Sequence, residues 1–302
     1  MTGGNPTTGK VIEGREAFVE VSSRLSYRQF WRRFAKNRGA VAGLAITLTM
    51  ALLAIFAPFL SPHDPINSNL ADALRPPSQE YRLGTDNLGR DVLTRILYGG
   101  RISLTVGLIV QGISVTIGTM VGLISGFAGG RVDDLLNGLI NAVYAFPSLL
   151  FAIAVLAVLG PGLYNIFVAL GLVGWATVAR LVRGEVLSLK NREFIESARA
   201  AGASNPRVLL RHILPNCFGP IVVVGTLGVA TAILSEATLS FLGLGTQPPT
   251  PSWGSMLSRG REYVWSAPWL TVFPGLAILL TILGLNLLGD GLRDVLDPRL
   301  RQ

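Results

Sequence analysis

Long stretches of this chain carry no ionisable side chain, and that decides the solvent in which it folds. Gly39 to Leu60, Ile102 to about Gly126, Leu135 to Ala179 and Pro268 to Leu288 hold no charge at all, and about Phe218 to Gly243 holds only Glu236. A helix rises about 1.5 Å per residue, so about 20 residues cross a hydrocarbon core of about 30 Å. Leu135 to Ala179 is long enough for two crossings, with Gly160-Pro161-Gly162 as the break. Backbone polar groups have no water partner in lipid, so spans of this length must be helices. The expectation is an all-α polytopic membrane protein with six transmembrane helices and both ends on one side. Half of the residues are apolar and 15% are charged, and the mean hydropathy is +0.49, as that class requires.

The net charge of +8 is distributed by topology and not as a nucleic-acid footprint. With the N-terminus inside, nineteen Lys and Arg fall inside and seven fall outside, the latter being Arg75, Arg82, Arg90, Arg95, Arg101, Arg259 and Arg261. This positive-inside bias places both termini and the segment around Glu196 in the cytoplasm. The expected organisation is a cytoplasmic tail over 1–38, a first span over 39–60, an extracytoplasmic segment over 61–100 and a five-helix core over 101–302. The single cysteine, Cys217, excludes an internal disulfide and reads as a buried apolar residue. His63 and His212 fall on opposite sides without companion ligands, so no metal is expected. Gly4-Asn5-Pro6-Thr7-Thr8-Gly9-Lys10 mimics part of a phosphate-binding loop, but Val11 stands where a hydroxyl residue would meet magnesium and no strand precedes it. The first 25 residues read as a flexible tail; a cleaved signal peptide is not expected, because its charged region would be too long. No catalytic residue and no cofactor are expected, so any ATP hydrolysis comes from another polypeptide.

One polar insert, Glu193 to Asn216, separates two of the apolar runs. Arg192 to Ala201 is rich in helix formers, Gly202 suits a left-handed C-terminal cap, and Ser204-Asn205-Pro206 opens a second helix. That helix is expected from about Arg207 to Leu214, stopping before Pro215. By composition alone, an amphipathic connector resting on lipid headgroups fits equally well. The spacing Glu196-Ser197-Ala198, then Gly202, then Leu214-Pro215 resembles the cytoplasmic loop of permease subunits of bacterial ATP-binding-cassette importers, with Ser197 in place of the middle alanine and His212 in place of an apolar residue. Leu83 to Gly107, which contains Leu83-Gly84-Thr85-Asp86 and Gly89-Arg90-Asp91, resembles the C-type permease of the dipeptide, oligopeptide and nickel branch. Glu236 to Gly245, Pro248 to Gly254, and Asn286 to Arg299 resemble the same branch.

The resemblance implies a type I importer permease fold in the bacterial cytoplasmic (inner) membrane. It implies a second homologous permease, two cytoplasmic ATP-binding subunits and an extracytoplasmic solute-binding protein as partners, with a peptide as substrate and a coupling loop over 183–216. Glu196, Ser197, Ala198, Arg199, Gly202, Arg211, Leu214 and Pro215 are the coupling residues it implies, with Arg199 and Arg211 facing the ATPase. At Gly202 another side chain would strain the cap and fill the turn. Thr85 or Asp86 is expected to cap a helix from Asn87, with Arg90 and Asp91 paired to each other or to neighbours, in a bracing role. Gly118, Gly122 and Gly126 lie on one helical face with Gly107 on the same span, a pattern for close helix packing. Phe146-Pro147 and Pro274-Gly275 are either static kinks or bends that move. Asp290, Arg293, Asp294 and Arg299 read as an ion-pair cluster. Glu236, the lone intramembrane acid, lies near the pathway or holds its span to the partner permease, and the second is favoured. The same machinery could carry nickel chelates or another solute. An ion-coupled secondary transporter using Glu236 and Asp290 is the alternative from a different class.

Overall fold

The structure, a computed structural model, describes residues 27–296. The Gly4 to Lys10 motif, most of the N-terminal tail and Arg299 lie outside the described residues. The helices of eight residues or more are α1 Tyr27–Lys36, α2 Arg38–Ile55, α3 Val92–Ala128, α4 Gly130–Ala145, α5 Ser148–Leu159, α6 Leu163–Leu189, α7 Glu193–Ala200, α8 Asn205–Phe241, α9 Trp253–Gly260 and α10 Trp269–Leu296. Among the described residues there is no strand, only an isolated bridge between Thr85 and Asp91.

Five helices, α2, α3, α6, α8 and α10, are long and apolar enough to cross a membrane. The expected third span is broken instead: α4 and α5 meet at 89° across Phe146-Pro147. Pro147 has no N–H to continue the helix, and Phe146 is forced into an extended conformation at φ −95° and ψ 135°. α5 has 12 residues, about 18 Å of helix, too short to cross alone. Gly160 and Gly162, with φ of +82° and +146°, make the turn into α6 at the expected place.

Several helices run past the expected span limits. α3 has 37 residues, about 56 Å, and its first turns leave the apolar run to enter the segment before it. Asp91 starts this helix by accepting from the Thr94 N–H at 2.8 Å. The anticipated start at Asn87 is therefore wrong: Asp86 accepts from the N–H groups of Leu88 and Arg90, and Gly89 turns the chain at φ +73°. Arg90 pairs with Asp86 at 2.6 Å and not with Asp91.

α3 and α6 form the central pair. A Cβ at Gly118 would lie 2.5 Å from the Trp175 carbonyl oxygen, one at Gly122 2.6 Å from that of Ala179, and one at Gly126 2.7 Å from Val186 Cβ. The glycine stripe brings two backbones together, as the spacing implied. Gly107, farther up α3, receives the Ile233 side chain of α8, whose Cγ1 would lie 2.7 Å from an added Cβ. α2 lies on α10 through Gly43, where an added Cβ would come 2.7 Å from the Gly284 carbonyl oxygen. The C-terminal ion-pair cluster does not form among the described residues; Asp294 instead accepts from Asn37 Nδ2 at 2.9 Å, which ties the end of α10 to the start of α2.

Because the obstruction at Gly122 is backbone, Gly122→Leu should destabilise the purified protein by about 1–3 kcal/mol, the cost of overpacking. Gly112 faces open space, so Gly112→Leu should stay within about 0.5 kcal/mol. Thermal unfolding in detergent, with the two variants side by side, reads the difference.

Candidate functional site

The two ends of α3 carry two different polar constructions. At its C-terminal end sits the insert. α7 ends in a Schellman motif: the Ala203 N–H donates to the Ala198 carbonyl at 3.0 Å and the Gly202 N–H to that of Arg199 at 2.9 Å. Gly202 has φ +83°, the left-handed conformation expected, but a Cβ there would meet nothing within 4 Å. The requirement at Gly202 is thus conformational, and the expected crowding is absent.

The second helix does not stop at Pro215. α8 begins at Asn205, widens into a π-helical turn over Leu209–Ile213, and continues as α-helix from Leu214 to Phe241. The widened turn moves the missing donor of Pro215 to the first turn of a renewed α-helix, where no intrahelical partner is needed. Asn216 Nδ2 donates to the His212 carbonyl at 2.5 Å and satisfies an acceptor there. His212 lies on this turn, while His63 stacks on Tyr81 at the other end of α3.

The inner face of the insert is apolar. Ile195, Val208, Ile213 and Cys217 are buried with Leu123 of α3 and Val178, Val182 and Val186 of α6. The outer face exposes Glu196, Ser197, Arg199, Gly202, Arg211 and Pro215, with Ala198 and Leu214 half-buried. Phe194 and Leu210 are large apolar residues exposed beside them. Arg199 also rests on the Phe127 ring, 5.7 Å from its centroid. Glu196 stands in the first turn of α7, where the helix dipole favours an acid.

Beneath the insert lies a latch with no signal in the sequence. Arg183 donates to both carboxylate oxygens of Asp133 at 2.7 and 2.8 Å, and the Ser125 hydroxyl donates to the same Asp133 at 2.5 Å. Lys190 donates to the Gly126 carbonyl at 3.0 Å. α6 continues as helix through Arg183 to Leu189, so the first residues of the expected loop over 183–216 are helical. Nothing local pairs residues 50 positions apart.

At the N-terminal end of α3, Asp86 lies among three arginines. Arg90 contacts it, Arg95 Nε lies 3.5 Å from it, and Arg95 also donates to the Pro65 carbonyl at 2.6 Å. Burial, then the nearby Arg90, lowers the pKa of Arg259, against the pull of Asp86. The Tyr81 hydroxyl donates to Asp72 at 2.9 Å, which raises its pKa. Trp253 and Trp269 donate their indole N–H groups to the carbonyls of Ile96 and Thr85.

Glu236 is fully buried and engaged within its own chain. It accepts from the Ser240 hydroxyl at 2.6 Å and from that of Ser103, on α3, at 3.2 Å. Ser103 Oγ in turn accepts from the Trp253 N–H at 3.4 Å. Within its own chain this acid fastens α8 to α3 and, through Ser103, to the start of α9. Replacing it with Leu leaves two buried hydroxyls without an acceptor, so Glu236→Leu should lower stability by about 1–3 kcal/mol or more. Glu236→Gln retains an acceptor and should lose less than half as much. Unfolding temperatures of the two purified variants check the order.

A cavity of about 340 Å³ opens between α3, the α4–α5 break, α6 and α8. Its wall is apolar with neutral polar groups, Gln111, Ser114, Tyr144, Thr177 and Ser235 among them.

Residues 118–302 match the family described as the binding-protein-dependent transport system inner membrane component, and residues 26–77 match the N-terminal transmembrane domain of oligopeptide transport permease C. The chain belongs to that family of inner membrane components. It is 46% identical to the dipeptide transport system permease protein DppC of Alkalihalophilus pseudofirmus, over 91% of this chain and 90% of that one. It is 45% identical to the oligopeptide transport system permease protein OppC of Bacillus subtilis, over 89% and 88%. Identity is also 45% with the glutathione transport system permease protein GsiD of Pectobacterium atrosepticum, over 93% of each. An inward-facing structure of the MetNI methionine ABC transporter superposes with a TM-score of 0.56 at 18% identity, over 66% of this chain and 95% of that one. The fold is that of a type I importer permease.

Proposed function

We propose that this chain is a permease subunit of an importer that moves di- or oligopeptides across the bacterial cytoplasmic membrane, driven by ATP hydrolysis in separate subunits. The exposed outer face of α7 and the π turn carries this reading. It is a compact surface of mixed charge, seated on a buried apolar base that belongs to the α3–α6 pair, and among the described residues no salt bridge engages Glu196, Arg199, Arg207 or Arg211. Such a surface fits a soluble partner. With both termini cytoplasmic by the distribution of Lys and Arg, the partner is an ATPase subunit, and the segment over 61–91 with α9 faces the solute-binding protein.

A second, homologous permease completes the pathway, and each permease seats one of two ATP-binding subunits. Closure of the ATPase pair pushes on α7, and the push reaches the membrane because Ile195, Val208 and Ile213 are packed on α3 and α6. Rigid bundles then rock between inward and outward openings. The chain itself performs no covalent chemistry in this scheme.

The experiment is purification of the tagged chain from native membranes in mild detergent, then ATP-dependent peptide uptake by the recovered assembly in liposomes. A second permease and ATPase subunits should co-purify, and uptake should need ATP and the binding protein. Gly202→Asp tests the coupling surface: Gly202 has open space around it and Asp tolerates left-handed backbone better than most residues. That variant should assemble and hydrolyse ATP while uptake falls at least ten-fold, roughly 1.4 kcal/mol of lost coupling. Normal uptake would remove Gly202 from the coupling surface, and uptake by the chain alone without ATP would overturn the importer reading.

A further inference from the structure

Just before the first span the chain places a short helix whose two sides differ in kind. α1 has ten residues and no acid among them. At about 100° per residue, Phe30, Trp31 and Phe34 fall on one side and Arg28, Arg32, Arg33 and Lys36 on the other. The apolar side is partly covered by the protein: Phe34 is buried with Ala40 of α2 and Val295 of α10, and Phe30 packs beside them. Trp31 stays 42% exposed at the edge of that contact, its ring centroid 5.7 Å from those of Phe30 and Phe34. All four cations of the polar side are exposed, as is Arg38, the first residue of α2. Among the described residues none of the five is in a salt bridge. Asp294, at the end of α10, is engaged by Asn37 instead.

Depth and charge together say what these cations face. α2 has 18 residues, about 27 Å of helix, so its whole length is needed to cross a core of about 30 Å. Arg38 therefore stands at headgroup level. Only Asn37, extended at φ −82° and ψ 102°, separates α1 from α2, so α1 ends at that level too. Arg28, Arg32 and Lys36 form a row at four-residue spacing, and like charges so placed weaken a helix in water. An anionic surface turns that repulsion into attraction. Four or more cations just cytoplasmic of a span, with a Trp beside them, make the composition of an interfacial helix that meets anionic lipid.

We propose that α1 is a binding site for anionic phospholipid. Lipid phosphates lie against Arg28, Arg32, Arg33, Lys36 and Arg38, and Trp31 enters the boundary between headgroups and acyl chains. Phe34 fixes the helix in the corner between α2 and α10, so bound lipid braces the place where those two spans meet. The site follows from the membrane-spanning architecture and is independent of what the chain imports. An ATPase subunit is the competing occupant. The face of α7 that suits such a partner carries both signs of charge, Glu196 beside Arg199, whereas α1 offers one sign and an aromatic edge, which matches a lipid surface.

The test is tryptophan quenching in the assembled importer, reconstituted in equimolar phosphatidylglycerol and phosphatidylcholine, with bromine on the acyl chains of one lipid or of the other. Subtracting the signal of Trp31→Phe isolates Trp31 from every other tryptophan in the assembly. Trp31 should report an about five-fold preference for phosphatidylglycerol, the worth of one Lys or Arg at an anionic surface. Replacing Arg28, Arg32, Arg33 and Lys36 together by Gln should bring the ratio to about one. In 1 M sodium chloride, where charges are screened within about 3 Å, the preference of the unaltered protein should at least halve, an outcome that needs no variant to fold. Equal quenching by the two lipids, a preference that survives the four substitutions, or one unmoved by salt would each overturn the site. Protection of Trp31 from both lipids that is lost when the ATPase subunits are removed would assign the face to that partner and overturn it as well.

Discussion

The approach of two backbones, α3 against α6, is the contact on which the other features depend. Gly118, Gly122 and Gly126 bring α3 within van der Waals range of the peptide groups at Trp175, Ala179 and Arg183. In lipid there is no hydrophobic gain from helix association, so close packing of this kind carries the pairing. The pair then supplies the base for everything at its C-terminal end. Leu123, Val178, Val182 and Val186 bury the inner face of α7 and the π turn, and Asp133 with Arg183 locks α4 to α6 beneath them. A force applied to the outer face of α7 meets no soft layer before it reaches the membrane-spanning helices.

The opposite end of α3 is fixed by different means. Asp86, Arg90 and Arg95 are buried there with Trp253, whose indole donates to the Ile96 carbonyl. Glu236 continues this network into the bundle through Ser103 and Ser240. Charges so placed are costly unless paired and hydrogen-bonded, and each has partners within the chain. With both ends fixed and its middle packed on glycine, α3 is held along its length.

Much of this architecture was legible in the sequence. Uncharged runs of the right length located the spans, the glycine period marked the α3 face, and Gly202 with its neighbours marked the cap. What failed did so for physical reasons. Pro147 read as a bend because periodicity does not report angle, and the chain turns there by 89°. Pro215 read as a stop because the π turn that accommodates it has no sequence signature.

The central claim is that α7 moves with α3 and α6 as one body. The most direct measurement is the distance between spin labels at Ser197, exposed on α7, and at Leu108, exposed on α3, in the assembled importer with and without trapped ATP. The account predicts the same distance and the same narrow distribution in both states, while distances to the partner permease change. A shift of several ångströms between Ser197 and Leu108 would contradict it, because the insert would then be hinged on the bundle.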